Sequence, residues 1–382
     1  MASTRTSHRA TDPSSGRDGR RPVGAQRVLG VAAALTAGAA MLVVALAVGR
    51  AGTSSGTAGP VTGWGLPLAR LALDVCALAT IGLLLLGGFL LPAAGERLAG
   101  RGLSAVRTAA WWALAWAASA AVAGVLTLSD ISGRPVGSVL NPLLLLDFVI
   151  EASQGRALLL VVGLALFLAA FARRTRTVND AWLLLVLAAL TVVPPTLTGH
   201  AAESANHDLA SLSLVLHVLA ASAWVGGLGA LVLYGTGAAP LREVAARYSQ
   251  LALGCFALVG LSGVGNAAIR LSTGPDAVTQ LWVSRYGWLV VAKAVALVVL
   301  GCFGWWHRKR TLPELTAGRA AAFTRFASVE LVVMVLAVAL AVALSRAPTP
   351  APANPAATPT ASPVASPVAL AAGSVAALQP GR

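Results

Sequence analysis

Apolar stretches of roughly 16–26 residues alternate along this chain with short segments that carry nearly all of its arginines. At ~1.5 Å of rise per residue, each stretch matches the thickness of a hydrocarbon layer. The pattern predicts nine spanning helices, approximately over 28–49, 71–91, 108–128, 157–172, 181–199, 209–234, 248–269, 287–306 and 326–345. The fold class it implies is all-α, a polytopic integral membrane helical bundle occupying residues 28–345. Residues 130–156 form a long connection with Asp147 and Glu151, and its apolar part, Leu140 to Ile150, is too short to span; it is expected in the interface or as a re-entrant segment. A basic segment, 1–27, precedes the bundle. Arg20-Arg21 lacks a fitting twin-arginine consensus, so the first apolar stretch is read as a retained anchor. From 346 to 382 the chain is rich in Pro, Ala, Ser and Thr, which predicts a disordered tail.

Composition strengthens this picture. With 57% hydrophobic and 11% charged residues in 382, there is more apolar side chain than a soluble core would bury. The net charge of +14 brings nucleic acid to mind, but the basic residues sit in short loops and form no continuous surface, so no nucleic-acid partner is expected. Of the 28 Lys and Arg, nineteen fall on one side of a nine-span bundle and eight on the other, with Lys293 inside a span. That excess places the N-terminus in the cytoplasm and the C-terminus outside an inner (plasma) membrane. Tryptophans follow the same division: Trp64, Trp282 and Trp288 near outer span ends, Trp111, Trp112, Trp182, Trp305 and Trp306 near inner ends, and only Trp116 and Trp224 deep. The cysteines, Cys76, Cys255 and Cys302, all fall in spans without a CxxC pair and read as small buried apolar residues.

Candidate chemistry gathers at histidine. Of five in the chain, His200, His207 and His217 lie within one short stretch, beside Glu203 and Asp208 and without a Lys or Arg in the connecting loop. Such a loop favours cations, and neutral imidazole suits copper, zinc, nickel and iron. On one helix the Cα atoms of residues 207 and 217 would stand ~15 Å apart, too far to share an ion. Two stations are therefore expected: a mouth of His200 and His207 with Glu203 or Asp208, and a deeper site at His217. Ordinary solvated loop residues remain the alternative for the first two, and a hydrogen bond across a helix interface for His217. Trp224 shares the face of His217 at i+7. Asp74, Lys293 and Glu330 are buried-charge or relay candidates, each needing a partner or water; Asp74 and Lys293 lie at similar depth and could pair, whereas Glu330 is near the inner face. The runs Trp224-Val-Gly226-Gly227-Leu-Gly229 and Gly260-Leu-Ser262-Gly263-Val-Gly265-Asn266 read as close helix packing, and Asn266 needs a hydrogen-bond partner. Only three methionines are present, so a thioether ladder is absent.

The segments "TGHA" (198–201), "LHVLAASAWVGGLGAL" (216–231), "LSGVGNAAIRL" (261–271), "RYGWLVVAKAVAL" (285–297) and "RFASVELVVM" (325–334), in that order with His207, resemble the CopD-type copper resistance and copper transport family. The resemblance covers roughly 66–345 and is strongest from 196 onward. It implies the handling or passage of a copper ion at the inner membrane, in uptake or tolerance, and it places His200, His207, His217, Lys293 and Glu330 at family-pattern positions. The expected function is copper transport or handling, not enzymatic catalysis, with the lipid bilayer as surroundings and an extracytoplasmic copper-binding protein as partner. No nucleotide-binding loop is present. Two other classes remain open: a membrane haem or redox protein with His217 as axial ligand, and an assembly or scaffold protein for a copper-dependent membrane complex.

Overall fold

A computed structural model describes residues 58–92, 95–98, 100–198, 207–234, 238–271, 279, 281–282, 284–316 and 320–346. The expected first span, 28–49, the basic segment 1–27 and the tail beyond Arg346 lie outside the described residues.

Every element among the described residues is helical, with one isolated bridge between Arg97 and Thr177. In chain order they are α1 (Gly59–Leu85), ending in a π turn (Leu86–Leu90); α2 (Gly100–Ser132); two short helices, α3 (Val136–Val139) and α4 (Pro142–Glu151); α5 (Ser153–Ala172); α6 (Val178–Leu197); α7 (His207–Tyr234); α8 (Ala238–Leu271); α9 (Arg285–Trp306), continuing through a second π turn (His307–Thr311) into α10 (Leu312–Thr316); and α11 (Ala320–Arg346). Eight helices among the described residues are long and apolar enough to cross a membrane. They overlap the eight expected spans that fall within the described chain. In lipid a backbone must satisfy its own hydrogen bonds, so the chain is helical throughout each crossing and several helices continue past it. α1 shows the largest difference from expectation. It starts at Gly59, with Pro60 in its first turn, and carries Arg70 inside the helix, where the hydropathy pattern placed a loop.

The starts of helices are chemically marked. Asn141 caps α4 by accepting from the Leu143 amide at 3.0 Å, Thr177 caps α6 through the Asp180 amide at 3.1 Å, and Ser284 caps α9 through the Gly287 amide at 2.9 Å. The connection between α2 and α5 is short helix, not a span. α4 exposes Leu143, Leu146 and Ile150 along one side, the apolar face that an interfacial helix offers to lipid. At its end, the Phe148 carbonyl lies so close to Gly155 that a Cβ there would overlap it.

Small residues let the main helices approach. α2 lines its contact with α1 and α5 with Ala105, Ala109, Ala113, Ala117 and Ala120, all buried, around Trp116. α1 and α7 cross at Gly82 and Gly226, where a Cβ on either would overlap the backbone of the other helix. The glycine run after Trp224 thus serves packing, as its composition implied. Trp116 and Trp224 are buried, Trp64 and Trp112 half-buried, and Trp111, Trp182, Trp282, Trp288, Trp305 and Trp306 exposed. One cysteine departs from the sequence expectation. Cys76 and Cys255 are buried, but Cys302 is exposed, because it sits on a face of α9 that no other described helix covers.

Candidate metal site

α7 runs without a break from His207 through His217 to Tyr234. His207 and His217 are therefore ~15 Å apart along one helix, too far to share an ion. Asp208 follows His207 in the first turn of α7, whereas His200 and Glu203 lie outside the described residues. Among the described residues no group of three or more His, Cys, Asp or Glu converges.

His217 is half-buried where α7 packs on α8. Its Nδ1 is 2.9 Å from Ser262 Oγ, and that hydroxyl donates to the Leu258 carbonyl one turn earlier on α8. With the hydroxyl proton so committed, Ser262 accepts, and Nδ1–H of His217 donates. The Val259 carbonyl is a second acceptor beside the ring. In this tautomer Nε2 keeps its lone pair, the form in which imidazole binds a metal. Gly263 leaves the ring room: a Cβ there would stand 3.7 Å from Cε1. One turn toward the start of α7, Asn266 Nδ2 donates to Ser213 Oγ at 3.3 Å, which supplies the partner that Asn266 requires. Farther along the seam Trp224 meets Phe256 edge-on at 5.6 Å, and the Tyr248 hydroxyl donates to the Trp224 carbonyl at 2.8 Å. The α7–α8 contact is thus a column of polar and aromatic pairs.

The three charge candidates fall in different surroundings. Lys293, half-buried on α9, lies within electrostatic range of His217. Asp74 does not pair with it. The charge acting on Asp74 is Arg70, four residues earlier on the same helix, while α1 and α9 each pack on α11. Glu330, only 4% exposed, has the partner that sequence reasoning missed: its Oε2 is 3.0 Å from Nε2 of His307, itself 8% exposed. His307 opens the run His307-Arg308-Lys309-Arg310, which reads as an interfacial loop. Instead the helix continues there as a π turn, and this turns the imidazole inward against Phe323, 5.2 Å away, while Lys309 and Arg310 lie over Trp305 and Trp306. The signal that could have found it was Glu330 itself, a carboxylate near the inner span end with few basic partners in reach.

The pair borders a cavity of about 220 Å³, walled by Trp224, Tyr248, Phe256 and Phe323. Tyr248 is within electrostatic range of Glu330.

No curated protein and no solved structure matches the chain. Two family models do. One, described as copper resistance protein D-like, N-terminal domain, matches residues 58–207, and another, copper resistance protein D, matches 242–344. The matches begin ahead of the stretch where the resemblance was read and leave the intervening 208–241, with His217, to neither. Between them they take in all but one of the eight spanning helices, and α8, α9 and α11, which flank His217 and the His307–Glu330 pair, fall within the second. The chain therefore belongs to the copper resistance protein D family, as a multi-pass, all-helical membrane protein.

Proposed function

We propose that this chain carries copper across the inner membrane, with an outward-facing mouth of His200, His207 and Glu203 or Asp208 delivering the ion to His217 between α7 and α8. The observation that carries this reading is the Nδ1 hydrogen bond to Ser262. An imidazole inside a span is costly, and here the Ser262 hydroxyl engages Nδ1, which supports a basic Nε2. A histidine serving packing alone has no need of that second nitrogen. Lys293 supports transit over storage, because a neighbouring ammonium repels a bound cation and keeps the site weak enough to release it. An extracytoplasmic copper-binding protein is the proposed donor, and the excess of Lys and Arg on the opposite side supports a cytoplasmic N-terminus.

The test is copper accumulation in cells expressing the full chain. His217→Ala at equal membrane abundance is expected to abolish the copper-dependent difference from cells lacking the protein; unchanged accumulation contradicts the proposal. A Soret band in the purified protein, lost in the same variant, would instead make His217 a haem ligand.

A further inference from the structure

We propose that His307 and Glu330 form a second copper station toward the inner ends of α9 and α11, a Cu(II)-type site in which imidazole Nε2 and carboxylate Oε2 are adjacent ligands; this rests on reading the chain as a copper path. The carrying observation is geometric. Nitrogen and oxygen ligands bind such ions at ~2.0–2.1 Å, and two of them in adjacent positions of a tetragonal site stand ~2.9 Å apart. His307 Nε2 and Glu330 Oε2 are 3.0 Å apart. That spacing lets one ion bind both atoms with little movement, Nε2 through its lone pair with the ring proton on Nδ1, and the carboxylate through Oε2.

Three further features fit. Both side chains are buried, so their separation is held by packing and not by chance on a surface. The adjoining cavity of about 220 Å³ has room for several waters at ~30 Å³ each, enough to fill the remaining coordination positions. Trp224, on the cavity wall, lies at i+7 from His217 on the same face of α7, so the cavity begins ~10 Å along the helix from the first station. The donor set of one imidazole and one carboxylate, with no thiolate or thioether, suits Cu(II) over Cu(I).

The experiment is titration of the full-length protein, reconstituted in lipid nanodiscs, with copper(II) chloride, reading bound copper per chain and the nitrogen hyperfine pattern in the electron paramagnetic resonance spectrum. His307→Gln and Glu330→Gln, which keep size and hydrogen bonding, are each expected to lose one equivalent, and His307→Gln also one nitrogen coupling. If either variant fails to fold, the other reads the same equivalent. Unchanged stoichiometry and spectrum in a folded variant overturn the inner station. Loss of copper in His217→Ala alone would do so too while leaving the proposed path standing. Loss only in the 307 and 330 variants would support the inner station and count against His217.

Discussion

His217 is tied to α8 through Nδ1 and the Ser262 hydroxyl, beside the Val259 carbonyl, so replacing Ser262 removes the side-chain acceptor without touching the imidazole. Outer-shell partners of this kind are worth about 10–100-fold in metal affinity. Ser262→Ala is expected to weaken copper binding by that factor in an equilibrium titration, and an unchanged affinity would mean that Ser262 does not set the tautomer. Lys293 acts in the opposite sense. Lys293→Met removes a positive charge within electrostatic range of the station, and copper should then be retained about fivefold more tightly, roughly 1 kcal/mol, with slower release in a dissociation assay. The cysteines divide by environment: a membrane-permeant maleimide is expected to label Cys302 and to spare Cys76 and Cys255 in the folded protein. Labelling of Cys255 as fast as Cys302 would contradict the packing of α8.

At the scale of helices, the α1–α7 crossing depends on two residues without side chains. Gly226→Val would place its Cβ on the Leu78 carbonyl and add two methyl groups to the crossing, and overpacking of this kind costs about 1–3 kcal/mol or more. A clear fall in melting temperature is expected, while Gly254→Ala, where the added Cβ meets nothing within 4 Å, should not lower it. The glycine run on α7 was legible as a packing motif from composition alone. Its partner, Gly82, was not, because hydropathy orders helices along the chain but does not say which ones touch. For the same reason Asp74 and Lys293, similar in depth, were an attractive pair in sequence and are not one in space. His307 was hidden by a different effect. A basic run beside two tryptophans marks an interface correctly, yet the π turn buries one member of that run and exposes the next three.

For the molecule as a whole, length and hydropathy were enough to place eight helices long and apolar enough to cross a membrane, and the two tryptophans expected deepest, Trp116 and Trp224, are the two that pack into the core. Helix ends were less legible, since apolar length reports only the part within the hydrocarbon, as the early start of α1 shows. Of the site, His217 was visible as a rare ionisable residue in a span. Its tautomer depended on a hydroxyl 45 residues away in sequence. The most direct test of the copper path is the metal content of the purified full-length protein loaded with copper, beside a variant carrying alanine at His200, His207 and His217. The variant, folded and equally abundant, is expected to lose the copper held at the mouth and at His217 and no longer to support copper accumulation in cells. Equal copper content and equal accumulation in the two proteins would contradict the copper path.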